Sequence, residues 1–242
     1  MAGEPEAQDA LHGLVSHYAS LRSYSDCGRV TRQRGSAEPK LCVLFSTFYQ
    51  QPLFRFHFRR PHPYPPPPDS PLTHHAVGFD GRAAYQMKRD QDGAVAMQAA
   101  DSIETAVARA TGISHGSSHT IAQLLVPGIG GISYLELLEV RLKRISGLEG
   151  VDCFVLSAEH PSRMAQYELW IERERLLLRK QITHHASFLS EELRSDIRIN
   201  EPIESGVFSS VEAPVAGGAR VARSPVAFDT GHVAQAGGCR LP

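Results

Sequence analysis

The sequence has no apolar run approaching the roughly 20 residues that a transmembrane helix needs. Nor does it carry charge of one sign: 25 basic residues face 26 acidic ones, and a formal net charge of -1 gives no general attraction to nucleic acid or an anionic membrane. Cysteine is sparse, and Cys27, Cys42, Cys153 and Cys239 show no C-x-x-C spacing, so a zinc ribbon or thioredoxin-like motif has no support. The opening MAGEPEAQDALHGLVSHYASL carries acidic residues where a secretory signal carries basic ones, and it lacks an uninterrupted apolar segment, so no signal peptide is expected there. No internal repeat is evident. What is present is core-forming material: 42% of 242 residues are hydrophobic, enough for one domain with a sizeable core.

Between Glu6 and Leu21, residues Ala7, Ala10, Leu11, Leu14, Val15, Tyr18 and Leu21 recur at three- and four-residue steps, which predicts an amphipathic helix. The period then drops to two. SYSDCGRVTRQ, KLCVLFSTFYQ and LFRFHFRR, broken at Gly35-Ser36 and Gln51-Pro52, predict three antiparallel strands in a meander. In the third, Phe54, Phe56 and Phe58 share one face while Arg55, His57 and Arg59 share the other. The proline-dense RPHPYPPPPDSP lacks ladder donors and is expected to be a loop or insertion at a sheet edge; a polyproline ligand for a partner domain is its other reading.

Asp80-Gly81 and Asp92-Gly93 favour tight turns and separate three more short strands. Asp101 or Ser102 can cap a helix reaching about Ala110, and Ser117 or Ser118 can cap another reaching Leu125, where Val126-Pro127-Gly128 stops it. Strands return with ELLEVRLKRI, whose leucines also suit a helix, then VDCFVLSAE, AQYELWIE, LLLRKQITHHASF and LRSDIRIN. Beyond Pro214, glycines and small residues without a sustained period predict a flexible tail over residues 215–242.

Three motifs invite chemistry. Gly112-Ile113-Ser114-His115-Gly116 fits the G-x-S-x-G nucleophile elbow, but an elbow needs a strand before it, and SIETAVARAT favours helix. His115 and His119 stand four apart as zinc ligands on a helix do, yet HGSSH holds no glutamate to act as base, and the adjacent pairs His74-His75 and His184-His185 would face opposite sides of a strand. No catalytic residue and no metal ligand is therefore assigned. Cys27 and Cys42 would oppose each other in a hairpin folded about Arg34-Gly35, which makes a cross-strand disulfide conceivable; two unpaired cysteines are the alternative. The strongest constellation is apolar: Phe45, Phe54, Phe56, Phe58, Tyr85, Phe154, Leu169 and Ile171 on one face of a long sheet, filled as core or left as a cavity for an apolar ligand.

The order of these segments carries a resemblance. The N-terminal helix, SYSDCGRVT, STFYQQPLFRFHF, VGFDGRAAYQM, the helical stretch ending in LLVPG, LEGVDCFVLSAE, YELWIERERLLLRK and IRINEPIESGVFSSVEAP resemble the succession in the LolA-like lipoprotein carriers, most of all the DUF2092-type branch, over residues 6–214. The resemblance implies a mainly β (α+β) fold: an unclosed antiparallel β-barrel with an N-terminal helix and lid helices over an apolar concave face. It implies a non-enzymatic carrier of lipid or acylated lipoprotein in the periplasm or cell envelope, monomeric and without a cofactor, with those eight residues and the lid residues Leu124 and Leu125 around the acyl chains. GISHGSSHTIAQLL becomes a loop and lid helix. The best-known carriers tie the lid with an arginine before the proline; Gln51 holds that place here. An envelope sensor or protein-binding module built on the same fold is the alternative function, with a protein partner.

Overall fold

A computed structural model describes residues 4–61, 72–90 and 93–208. The proline-dense insertion from residue 62 to 71, Asp92 and the expected tail lie outside the described residues. Six strands form one continuous meander: β1 (Ser23–Gln33), β2 (Lys40–Gln50), β3 (Leu53–Pro61), β4 (Leu72–Phe79), β5 (Ala84–Arg89) and β6 (Val95–Ala100). Five more form a second: β7 (Leu138–Leu148), β8 (Val151–Glu159), β9 (Ala165–Glu172), β10 (Leu178–His185) and β11 (Leu189–Ile199).

The meanders meet where β1 pairs antiparallel with β11, giving an eleven-stranded sheet in the order β6-β5-β4-β3-β2-β1-β11-β10-β9-β8-β7. The sheet ends in two edges, β6 and β7, so the fold is the unclosed antiparallel half-barrel that the resemblance implied. ELLEVRLKRI resolves as strand: after a short 3-10 turn at Tyr134–Glu136, capped by Ser133, β7 pairs along β8 and turns Val140 and Leu142 to the core.

Three helices cover the concave face among the described residues: α1 (Glu4–Ser20), α2 (Ile103–Thr111) and α3 (Ser117–Leu125). Helix α1 lies over β7 and β8, α2 over β4 to β6, and α3 touches both helices. The stripe on α1 is buried as its period requires, with Ala7, Leu11, Leu14 and Tyr18 in the core. Ser102 caps α2, its Oγ accepting from the Thr105 N–H at 3.1 Å. Helix α3 departs from expectation. Its N-cap is Gly116 at φ 95°, a left-handed conformation that costs glycine nothing. Ser117 and Ser118 are buried instead of capping, and Ser117 Oγ donates to the Ser114 carbonyl at 2.7 Å.

The core is densest where β2, β3 and β4 meet. Phe45 stacks on Phe56 at 5.3 Å between centroids, Phe56 meets Phe58 at 5.7 Å, and Phe58 stacks on His75 at 4.8 Å. Gly28 makes this packing possible. It lies between Phe45 on β2 and Arg194 on β11, and a Cβ there would fall 2.2 Å from the Phe45 ring. Without one, the ring crosses β1 and reaches the guanidinium, 4.8 Å from its centroid.

Cys27 and Cys42 do not pair with each other. The β1–β2 register sets Cys27 opposite Ser46, with Sγ 3.7 Å from its Oγ, whereas the Cys42 thiol donates to the Lys40 carbonyl at 3.5 Å. Nor are both unpaired, since Cys27 is itself disulfide-bonded.

Candidate functional site: a mixed cavity beneath helix α3

Facing the core, β9, β10 and β11 present polar side chains where β2 and β3 present phenylalanine. The ladders align Tyr167 with Thr183, Thr183 with Ser190 and Gln181 with Glu192, all on the concave face. Such residues do not pack dry against a helix. A cavity of about 450 Å³ stays between them and the start of α3, where His115, His119, Thr120 and Gln123 form its roof. Ile132, Leu137, Tyr134 and Phe188 add apolar and aromatic wall, and Arg32 completes the lining from β1.

A charged network supports the floor. Arg194 is wholly buried and donates to both Asp26 and Glu192. Asp26 also accepts from the Tyr24 hydroxyl at 2.7 Å and from the Thr47 N–H at 3.1 Å. The same guanidinium donates to the Ser117 carbonyl at 3.4 Å, which ties the first residue of α3 to the sheet. Two carboxylates thus share one guanidinium, and Glu192 faces the cavity. Burial pushes the Glu192 carboxyl up, against the opposing pull of Arg194 and the Thr120 hydroxyl. Burial, reinforced by Glu192, also pushes the Tyr134 phenol well up, so it keeps its proton and donates to Gln181 Oε1 at 2.6 Å.

Four imidazoles reach the cavity: His115, His119, His160 and His185. Burial, then Arg32 and Arg60, holds His115 down at about 4, and burial followed by Arg32 lowers His185. His119 Nε2 donates to the Gly130 carbonyl at 2.7 Å, and His160 Nδ1 shares a 2.6 Å hydrogen bond with Ser162. Among the described residues no group of three histidine, cysteine or carboxylate side chains is placed to hold a metal ion.

Ser114 is preceded by α2 and not by a strand. Its Oγ is buried 2.9 Å from Ser118 Oγ and donates to the Thr111 carbonyl at 3.3 Å. That geometry ties two helices together and presents no nucleophile to solvent.

The residues named from sequence fall elsewhere. Phe45, Phe54, Phe56, Phe58, Leu124, Leu125, Leu169 and Ile171 lie in the closed core, with Phe154 packed on its margin. None lines the 450 Å³ cavity, although Leu124 borders a smaller one of about 60 Å³ beside it. Tyr85 is on the other face of the sheet. The register pairs Phe79 with Ala84, which turns Ala84 inward, and Tyr85 joins Ala76 and Met87 on the convex side.

Sequence reasoning missed Asp26, Glu192 and Arg194. Hydrophobic alternation in β11 favours Leu193, Ile197 and Ile199 as one inward set. The pairing with β1 is irregular between Ser25 and Cys27, and Asp196 takes φ 50°. Such a bulge reverses parity. Ile197 and Ile199 face the core on one side of it, and Arg194 and Glu192 on the other.

No family model and no curated protein matches the chain, and nothing in the comparisons bears on the DUF2092-type branch. Solved structures do match. The Mycobacterium tuberculosis lipoprotein LppX superposes with a TM-score of 0.50 at 11% identity, covering 84% of this chain and 99% of LppX. LprF from Mycobacterium bovis gives 0.49 at 13% identity, over 83% of this chain and 96% of its own. The Pseudomonas aeruginosa MucA/MucB complex gives 0.39 at 14%, over 85% of this chain and 61% of that one. An eleven-stranded unclosed antiparallel sheet, with an N-terminal helix and two further helices across its concave face, gives this protein a LolA-like fold.

Proposed function

We propose that the protein is a non-enzymatic carrier in the cell envelope that shelters acyl chains of a lipid or lipoprotein beneath α3. The observation that carries this reading is the cavity of about 450 Å³ opening between a nine-residue helix and an unclosed sheet. Burying an acyl chain is worth about 0.8 kcal/mol per CH₂. A carrier must give that back when an acceptor competes, so its lid has to close weakly.

Helix α3 meets the need: it is short, its N-cap makes no side-chain hydrogen bond, and Arg194 holds its first carbonyl at 3.4 Å. In this reading Arg194 supplies the tie that the best-known carriers take from an arginine at the place of Gln51. Displacing α3 would join the cavity to the smaller one beside it that Leu124 borders. Likeness in fold to a mycobacterial lipoprotein supports the envelope setting.

A protein-binding module is the second reading, favoured by one observation: Leu138 and Ile145 on edge strand β7, with Met164 nearby in sequence to β9, are exposed apolar side chains. Mass spectrometry of organic extracts from natively purified protein separates the two. Near-stoichiometric acyl lipid is expected. Protein that comes out empty, and takes up neither added fatty acid nor lipopeptide, would overturn the carrier and favour the module.

A further inference from the structure

The cavity carries a charge pattern beyond what an acyl chain requires. Arg32 and Glu192 both line it. Arg32 opposes Ser190 in the β1–β11 ladder, two residues from Glu192 on the same face, so their backbones are diagonal neighbours about 7–8 Å apart. They do not neutralise each other. Glu192 is held by Arg194, whereas Arg32 lies over the Phe188 ring at 3.9 Å, its buried Nε without a hydrogen-bond partner among the described residues.

The negative end is in excess as well. Asp26 and Glu192 share the single Arg194 guanidinium, and Asp26 has two further donors in Tyr24 and Thr47. The carboxylate left less satisfied is the one that faces the cavity. A purely anionic ligand would meet Glu192, and a purely cationic one would meet Arg32; a ligand with both charges a short linker apart satisfies both.

We propose that this cavity, in the carrier reading on which the idea rests, selects an aminophosphate headgroup, placing a primary ammonium at Glu192 and the phosphate at Arg32. Thr120, Thr183 and Ser190 stand beside the path between the two ends. The ammonium matters because it donates to a carboxylate, which a quaternary choline cannot do.

The test is calorimetric titration of the full chain with three lysophospholipids of one acyl length, bearing ethanolamine, choline or glycerol headgroups. Fatty acid and water-soluble glycerophosphoethanolamine are titrated alongside. The ethanolamine lipid should bind about tenfold more tightly than the other two, the worth of one charge-assisted hydrogen bond. Glu192→Gln should erase that preference, weakening the ethanolamine lipid and strengthening the anionic glycerol lipid. Arg32→Gln should weaken all three phosphorylated lipids. Detectable binding of glycerophosphoethanolamine would show that the headgroup is recognised without a chain.

Equal affinity for the three lysolipids sinks the headgroup proposal and leaves the carrier standing. No binding of any amphiphile sinks both. Because the comparison among headgroups is made on unmodified protein, a variant that fails to fold does not decide the outcome.

Discussion

The two meanders build the same concave surface from opposite materials. In β2 and β3 the inward positions hold Phe45, Phe54, Phe56 and Phe58, all fully buried, with the Phe56 ring against those of Phe45 and Phe58. In β9 to β11 the equivalent positions include Tyr167, Gln181, Thr183, Ser190 and Glu192, and there a cavity persists. An apolar sheet face under helices closes, because every ring that touches another leaves water. The open space lies where polar side chains prevent dry packing. Richness in phenylalanine therefore marks the firm half of this molecule and not its opening.

The largest effect should come from charging the firm half. Phe56 has no exposed surface and touches rings on both sides, so Phe56→Asp would bury an unpaired carboxylate in an apolar cluster. Loss of the cooperative melting transition is expected by circular dichroism. A folded Phe56→Asp protein that had merely lost lipid uptake would instead show that these rings line a cavity, and the contrast between the halves would fail.

A smaller effect tests the polar half. Arg194→Met removes the cation shared by Asp26 and Glu192 and leaves two buried carboxyl groups without it. Removing one partner of a buried ion pair costs about 3–5 kcal/mol, measurable by urea denaturation. Adding Glu192→Gln to Arg194→Met should recover part of the loss. Hydrogen exchange should rise first at the start of α3, whose Ser117 carbonyl accepts from Arg194. Stability unchanged in Arg194→Met would mean that the network positions groups without holding the lid.

Much of the architecture was legible because periodicity is local. The strands SYSDCGRVTRQ, KLCVLFSTFYQ, VDCFVLSAE and AQYELWIE coincide with β1, β2, β8 and β9, and the N-terminal stripe coincides with α1. The site was far less legible. Alternation says that two sets of residues face opposite ways, not which set faces in, and one irregularity reverses the answer. The bulge around Asp196 hid Glu192 and Arg194, while the parity of β5, fixed by its partner strands and not by its own sequence, misplaced Tyr85. Whether the phenylalanines enclose space or fill it depends on what α2 and α3 place against them, information that no single strand contains.

The smallest effect of a single residue should appear at one histidine on acidification, and it falls mainly on the firm half. His75 is buried against Phe58 and held at about 4 by burial first and then by Arg60 and Lys88; burial, with Arg55 next, holds His57 at about 3. Both lie below the ordinary 6.5, so between these values the unfolded chain binds the more protons. Their contribution to stability is full above about pH 6.5 and is lost as pH falls toward 4, with a slope of up to about 1.4 kcal/mol per pH unit for each histidine. His115 in the cavity roof, also at about 4, adds a share from the other half. Melting temperature should therefore drop between pH 7 and 4.5, and His75→Phe, which keeps a ring on Phe58, should flatten the slope by one histidine's share. A profile unaltered by that substitution would mean that acid loosens the polar half first, through the cavity, and not the packed rings.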